Sequence, residues 1–244
     1  MNDPRVSVCM ATYNGSRWLE PQLASILAEL EAHDEVVIVD DASRDETPAL
    51  LMRLDDPRVR VHLRADNRGY VRTFEEALGH ATGDVVMLAD QDDVWIPGRR
   101  ARFVAALDDS LVAASNLELL GSGDPLPHPI TRRPWRLRSV SSRHGVRNAL
   151  RILAGVAPYY GCAMAMRREA VDRVLPFPPF LDESHDLWIA MFANAHRTMR
   201  HIDEPTIRRR IHDENASPSR PRGIAAVLRA RLMLLRAWRT ARRR

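Results

Sequence analysis

The chain has 244 residues, of which 45% are hydrophobic and 28% are charged, so it is long enough for one large soluble domain. It contains neither the eighteen consecutive apolar residues of a membrane span nor the start of a signal peptide, and its two cysteines are too few for a disulfide framework, so we expect a cytoplasmic protein. The net charge of +4 conceals a tail, residues 217–244, with nine arginines and no acid; the remaining body carries −5, which argues against a nucleic-acid groove across it.

Strand and helix patterns alternate through the first hundred residues. Short apolar runs predict buried strands at 6–10, 36–39, 59–63 and 85–89. Helical spacing of apolar residues predicts helices at 17–31 and 73–80, and Ser43-Arg44-Asp45-Glu46 fits a capping box that opens another helix. This alternation predicts an α/β fold with a mostly parallel central sheet flanked by helices.

Polar loops follow each of these strands. They are Tyr13-Asn14-Gly15, Asp40-Asp41, Asp66-Asn67-Arg68-Gly69 and Asp90-Gln91-Asp92-Asp93. In a parallel sheet, ligands bind beyond the carboxyl ends of the strands, so the four loops predict a site at that edge.

The second half has a weaker pattern. Residues 121–135 contain four prolines and predict a long loop. Helical spacing returns at 146–153 and 186–195, and a buried strand is predicted at 160–166.

The acidic loop after the fourth strand suggests a metal site. Asp90 and Asp92 point to the same side of an extended strand, and paired carboxylates suit Mg²⁺ or Mn²⁺. The alternative is a solvated acidic turn in which Asp93 caps a short helix. The spacing leaves both interpretations open.

Taken in order, the segments VSVCMATYNGSRWLEPQLASIL, VVIVDDASRDET, DNRGY and ADQDDVW resemble those of the family 2 glycosyltransferases. The resemblance covers roughly residues 5–215. It implies a GT-A, Rossmann-like fold, a nucleotide-diphosphate sugar donor (a dTDP- or UDP-sugar) and a divalent metal. The form Asp-Gln-Asp-Asp-x-Trp is most similar to the rhamnosyltransferase-like branch.

The resemblance also assigns roles to residues. The implied nucleotide-sugar contacts are Thr12, Tyr13, Asn14, Asp41, Asn67, Gly69, Asp90 and Arg210. The implied metal ligands are Asp90, Asp92 and His212. Gly161 and Cys162 match a segment of small residues beside the acceptor, although Cys162 also fits a packing role.

Asp186 takes the position of the family's catalytic base. The resemblance implies that it removes a proton from the acceptor hydroxyl in an inverting single displacement. The acceptor implied is a glycan or a lipid-linked oligosaccharide. The alternative for Asp186 is an acid favoured at a helix start by the helix dipole.

These patterns divide the chain into a transferase domain, residues 1–216, and a basic tail, residues 217–244. Residues 1–115 are expected to bind the nucleotide sugar and residues 116–216 the acceptor. In the tail, an amphipathic basic helix predicts either packing on protein or peripheral binding to an anionic inner membrane face.

Two other functions stay open at this point. One is a sugar nucleotidyltransferase, which shares a βα opening and acidic metal residues, although such enzymes usually carry a glycine-rich basic loop after the first strand. The other is a relative that binds a nucleotide sugar without turning it over.

Overall fold

The computed structural model describes residues 3–128, 131–212 and 223–244. Strands and helices alternate through the first half, as the sequence predicts. The elements there are β1 (Val6–Thr12), α1 (Ser16–Leu27), β2 (Glu35–Asp40), α2 (Thr47–Met52), β3 (Val59–Leu63), α3 (Tyr70–His80), β4 (Val85–Ala89), β5 (Val94–Trp95) and α4 (Arg99–Ala106).

The second half adds strands to the same sheet and helices to one of its faces. Its elements are β6 (Val112–Leu119), α5 (Gly145–Ala154), β7 (Met164–Arg167), α6 (Arg168–Val174), α7 (His185–Ala195), β8 (Met199–Arg209) and α8 (Ile224–Ala241). Short 3₁₀ turns at Ser139–Ser141 and Gly161–Ala163 precede α5 and β7.

One eight-stranded sheet runs through the domain in the order β3-β2-β1-β4-β7-β6-β8-β5. The first four strands in this order are parallel, β7 is antiparallel to both its neighbours, and β5 is antiparallel to β8. The expected α/β fold with a mostly parallel sheet is therefore confirmed.

The register places the predicted loops at one edge of the sheet. Thr12 pairs with Asp40 across β1 and β2, and Met10 pairs with Ala89 across β1 and β4. The residues that follow these strands therefore leave the sheet side by side. This is the edge at which parallel sheets bind ligands.

Alternate residues of the central strands face two different cores, which explains their continuous apolar runs. In β2, Val37 and Val39 pack on the face covered by α3, α5, α6, α7 and α8. Val36 and Ile38 pack on the face covered by α1, α2 and α4. A strand buried on both faces has no polar alternation to show.

Some predicted elements differ from the observed ones. Ser43 does not cap a helix: its hydroxyl bonds to Asp40, and α2 begins only at Thr47, whose amide donates to Asp45. Only the last part of the strand predicted at 160–166 is extended, because Gly161–Ala163 form a 3₁₀ turn. Elements β5, α4, β6, α6 and β8 were not predicted.

The predicted boundary between the two halves of the domain falls inside the sheet. Residues 115 and 116 lie inside β6, so the sheet continues through the boundary between the halves. The boundary at 216 and 217 lies outside the described residues. Within the tail, Met233, Leu234, Ala237 and Ala241 are buried in the core that contains α7, as the packed alternative expects.

Candidate active site

The loops at the carboxyl edge of the sheet enclose a cavity of about 460 Å³. Nine of the predicted site residues line it: Thr12, Tyr13, Asp41, Asn67, Gly69, Asp90, Asp92, Gly161 and Asp186. A larger concavity, about 710 Å³, lies at the opposite edge beside Asp84 and Arg168 and contains none of the predicted residues.

The aromatic turn after β1 is held by a side chain from the loop after β4. Gln91 Oε1 accepts from the Tyr13 amide at 2.9 Å, and Gln91 Nε2 donates to the Tyr13 carbonyl at 3.1 Å. A β-carbon at Gly15 would overlap the Gln91 amide, so a side chain at this position would displace that amide. The Tyr13 side chain is left 44% exposed at the cavity.

Two carboxylates after β2 organise the neighbouring loops. Asp40 accepts from the Thr12 hydroxyl at 2.9 Å and from the Ser43 amide at 2.9 Å. Asp41 accepts from the Gly69 amide at 2.8 Å and from the Arg64 guanidinium at 2.9 Å. The Asp41 carboxylate therefore fixes the loop after β3, and it also lines the cavity.

Three loops around the cavity contain strained backbone. Asn14, Ala42 and Ser184 have φ values of 49°, 60° and 61°, in the left-handed region that L residues rarely adopt. Each costs about 1–2 kcal/mol, which the surrounding hydrogen bonds offset. Asn14, for example, accepts from the Arg44 amide at 2.8 Å.

The acidic cluster (Asp90, Asp92 and Asp93) lies at the end of β4. Carboxylate oxygens of Asp90 and Asp93 lie within 4.8 Å of each other and of Cys162 Sγ. Burial, together with the charges of Asp93 and Asp92, raises the pKa of Asp90. Burial also raises the pKa of Cys162, so its thiol stays protonated and neutral.

The structure brings His212 onto the acidic cluster. His212 Nε2 lies 2.8 Å from Asp92 Oδ2, and the imidazole stacks on Trp18 with ring centroids 5.1 Å apart. The Arg210 guanidinium covers the same indole, and its Nε donates to the Asp92 carbonyl at 3.1 Å. Two predicted metal ligands, 120 residues apart in sequence, are thus in direct contact.

The donor set of the acidic cluster fits a divalent metal. Its carboxylates, with the imidazole of His212 on Asp92, are ligand types found in Mn²⁺ and Mg²⁺ sites. Burial first, and then the charges of Asp93 and Asp92, raise the pKa of Asp90, and a bound cation would offset both effects. The protonated thiol of Cys162 adds no charged ligand.

Asp186 occupies the first turn of α7, directly beside Gly161. The Asp186 carboxylate accepts from the Leu187 amide at 2.8 Å, and burial raises its pKa to about 6. A β-carbon at Gly161 would lie 2.8 Å from His185 Nε2 and 3.7 Å from the β-carbon of Asp186. Any larger residue at position 161 would therefore press on this wall of the cavity.

The sequence profile of glycosyl transferase family 2 matches residues 7–175, which is more than half of the chain. The chain belongs to glycosyl transferase family 2. The match includes the loops of Tyr13, Asp41 and Gly69 and the acidic cluster, and it stops before Asp186 and His212.

Two curated relatives are named as glycosyltransferases and are longer than this chain. The glycosyltransferase alr2836 of Nostoc sp., described as uncharacterized, is 29% identical over 185 residues, covering 72% of this chain and 54% of the relative. WfgD of Escherichia coli, a UDP-Glc:α-D-GlcNAc-diphosphoundecaprenol β-1,3-glucosyltransferase, is 28% identical over 99 residues, covering 41% of this chain and 39% of the relative. The chain thus spans about half the length of these relatives, or less.

Solved glycosyltransferase structures share the fold. TarS 1–349 of S. aureus in complex with UDP-GlcNAc superposes with a TM-score of 0.70 at 20% identity, covering 95% of this chain and 66% of TarS. Mannosyltransferase PcManGT of Pyrobaculum calidifontis, in complex with GDP-Man and Mn²⁺, gives 0.60 at 21% identity, covering 99% and 74%. The fold is therefore the GT-A fold of family 2.

Four residues predicted for the site do not line the cavity: Cys162, Asn14, Arg210 and His212, the last of which lies on Asp92. Cys162 is 1% exposed beneath the acidic cluster, so its side chain offers no surface to an acceptor. Asn14 turns its amide to the loop after β2, and Arg210 covers Trp18. In this family 2 chain they support the residues that line the cavity.

Arg209 lines the cavity and was missed by sequence reasoning. Burial opposes its charge, but the acidic groups around it, which include Asp93 and Asp90, raise its pKa overall. Arg209 ends β8 and Arg210 follows it, and the two side chains lie on different surfaces: Arg209 lines the cavity and Arg210 covers Trp18. Because side chains alternate in direction along a strand, recognising β8 in the sequence would have predicted different surfaces for the two arginines.

Proposed function

We propose that the chain transfers a sugar from a nucleotide-diphosphate donor to a hydroxyl of a glycan or lipid-linked acceptor, with inversion at the anomeric carbon. One observation carries this proposal. A single cavity is lined by the aromatic turn of Tyr13, by the acidic cluster and by Asp186, a lone carboxylate with its own raised pKa. These are the parts that donor binding and proton removal require.

The loops after β1, β2 and β3 would hold the nucleotide. The exposed ring of Tyr13 offers a face on which a base stacks. Asp41 Oδ2 accepts from the Gly69 amide and keeps a lone pair for a pyrimidine N3–H. Thr12 and Asn67 keep these loops in place through bonds to Asp40 and to the Asp41 carbonyl.

Asp90, Asp92 and His212 would hold a divalent metal, Mn²⁺ or Mg²⁺. Such an ion neutralises the diphosphate charge that grows as the sugar–oxygen bond breaks. Arg209, buried near Asp93 and Asp90, adds a fixed positive charge on the same wall. PcManGT, with its GDP-Man and Mn²⁺, has the same fold.

Asp186 would act as the base. The acceptor oxygen attacks the anomeric carbon, the bond to the diphosphate oxygen breaks, and the acceptor proton passes to the carboxylate. A pKa of about 6 leaves Asp186 deprotonated at neutral pH, yet basic enough to take that proton. Among the described residues that line the cavity, the other carboxylates are Asp41 and the acidic cluster, which we assign to the nucleotide and the metal, and this assignment favours a single displacement.

We propose a class of acceptor and a first donor sugar to test. The open wall at Gly161 beside Asp186 gives the acceptor hydroxyl access to the base. WfgD, by its name, uses a diphosphoundecaprenol-linked acceptor, and we propose an acceptor of that class here. The Asp-Gln-Asp-Asp-Val-Trp motif makes dTDP-rhamnose the first donor to test, beside UDP-sugars and GDP-mannose.

The test measures donor binding and turnover separately. The full chain is screened with these nucleotide sugars by thermal shift, with Mn²⁺ and with a chelator, and nucleoside diphosphate release is followed with a glycan acceptor. Asp186→Asn is expected to bind the donor as the wild type does and to lose turnover by orders of magnitude. Asp182→Asn, an exposed acid four residues earlier, is the matched control and should keep its activity.

Two outcomes would contradict the proposal. A chain that binds a nucleotide sugar but releases no diphosphate with any acceptor is the non-catalytic relative. Loss of donor binding in Asp186→Asn would assign Asp186 to the donor pocket. The family assignment leaves the sugar nucleotidyltransferase alternative without an observation in its favour.

A further inference from the structure

Half of the arginines are concentrated in two segments that contain no acid. Residues 125–168 and 217–244 together hold 18 of the 36 arginines and none of the 32 acidic residues. The rest of the chain has 18 arginines against 32 acids, a formal charge of −14. The two segments are therefore strongly basic, whereas the rest of the chain is acidic.

The fold brings the two acid-free segments together. Helices α5 and α8, one from each segment, both pack on α7 and contact each other. A side chain at Gly145 would overlap the Asn194 carbonyl of α7, so α5 lies directly on that helix. A side chain at Gly155 would overlap the Arg231 guanidinium, so the end of α5 lies against α8. Since α7 is buried beneath them, the outer sides of both helices face solvent.

These outer sides are apolar as well as basic. Among the described residues, twelve large hydrophobic side chains are exposed, and seven belong to the two segments: Val140, Val146, Leu150, Ile224, Leu228, Leu232 and Leu235. They are 42–82% exposed. On α8 the four fall at intervals of four, four and three residues, and on α5 the pair is spaced by four. These spacings place each set on one helix face.

We propose that α5 and α8 together form a docking face for an anionic lipid surface. Exposed arginines lie beside the apolar row: Arg143 just before α5, Arg147 on α5, and Arg229 and Arg236 on α8. Lipid headgroups attract the arginines while the apolar row enters the acyl boundary. A nucleic acid would meet the charge but leave the leucines uncovered, so the combination selects lipid.

The docking face adjoins the acceptor side of the cavity. Tyr160 and Gly161 line the cavity and belong to the first acid-free segment, a few residues after α5 ends. Trp135, in the same segment, donates to the Val156 carbonyl at 3.0 Å and contacts the Tyr160 ring. A membrane on this face would present a lipid-linked acceptor near Asp186. That last step rests on the proposed function, whereas docking rests on the surface alone.

Vesicle sedimentation of the full chain tests the docking. We expect the protein to sediment with vesicles of phosphatidylcholine and phosphatidylglycerol in equal amounts, to be released as salt rises, and to remain in solution with phosphatidylcholine alone. Each acid placed on the face should lower partitioning about fivefold, since one charge near an anionic surface is worth about 1 kcal/mol. The double variants V146E/L150E and L228E/L232E should therefore each lose about 25-fold.

Met52→Glu supplies the control for a single added acid, because Met52 is 69% exposed on α2, away from both helices. It should lose no more than the fivefold expected of an added charge. Each variant should also keep the nucleotide-sugar thermal shift of the wild type. If no nucleotide sugar binds at all, the proposed function fails while the vesicle result still stands.

Three results would overturn the docking face. The full chain could stay in solution with anionic vesicles. V146E/L150E could bind as the wild type does while L228E/L232E does not, which would leave α8 alone as the anchor. The face could instead bind a second copy: sedimentation velocity would then show a dimer that L228E/L232E dissociates.

Discussion

The amide of Gln91 joins the aromatic turn to the acidic cluster, and its removal gives a quantitative prediction. Gln91 forms two hydrogen bonds with the main chain of Tyr13, at 2.9 and 3.1 Å. Gly15 lies so close to the same amide that a β-carbon has no room. We expect Gln91→Ala to release the turn and so to weaken nucleotide binding.

The size of the loss follows from the two bonds. Each neutral hydrogen bond contributes about 1 kcal/mol, so releasing the turn makes its ordered form about 2 kcal/mol less favourable. Ligand binding must then restore that order, which raises Kd by up to about 30-fold. Gln91 is only partly buried, so the measured loss should fall between about fivefold and 30-fold.

A double-mutant cycle tests this reasoning by titration calorimetry with UDP and Mn²⁺. Gly15→Ala should push the Gln91 amide away and cost about as much as Gln91→Ala. The double variant should cost no more than either single one, because the shared interaction is lost only once. Gly79→Ala, where a β-carbon meets nothing within 4 Å, controls for the change from glycine to alanine. Additive losses, or unchanged UDP affinity in Gln91→Ala, would falsify the role of the amide.

Three further predictions concern the base, the metal and the last helix. A carboxyl accepts a proton only when it is ionised, and burial raises the pKa of Asp186 to about 6. We therefore expect kcat to be constant above neutral pH and to fall about tenfold per pH unit below about 6. A kcat that does not fall at acidic pH would argue against this base. Chelation or Asp92→Asn should weaken the binding of a nucleoside diphosphate, measured by calorimetry, at least about tenfold, and His212→Ala should weaken it less. Full affinity in the presence of chelator would contradict the metal site. Leu234→Ala should lower the free energy of unfolding, measured in urea, by about 2–5 kcal/mol. Leu235 is the next residue and is 42% exposed, so Leu235→Ala should lower it by less than about 1 kcal/mol. Equal losses would contradict the packing of α8.

The acidic side of the site was readable from the sequence because each of its loops directly follows a strand that the sequence marks. Apolar runs marked the parallel strands, since a strand buried on both faces shows no polar alternation. The strands β3 (Val59–Leu63) and β4 (Val85–Ala89) end where the sequence predicts. Since parallel strands end at a common edge, their following loops had to meet, and Tyr13, Asp41 and Asp90 line one cavity.

Packing between distant segments decided the rest. Strand β8 mixes Pro205 and exposed arginines with buried residues, so no apolar run marks it in the sequence. Its pairing with β6 and β5 is what places Arg209 at the cavity and Arg210 on Trp18. Strand pairing likewise carries His212 to Asp92. The tail pattern predicted an amphipathic helix, but only contact with α7 determines that Leu234 is buried and Leu235 is not. Local periodicity reports which residues share a face, whereas the partner of that face is set by the order of strands and the packing of helices across the whole chain.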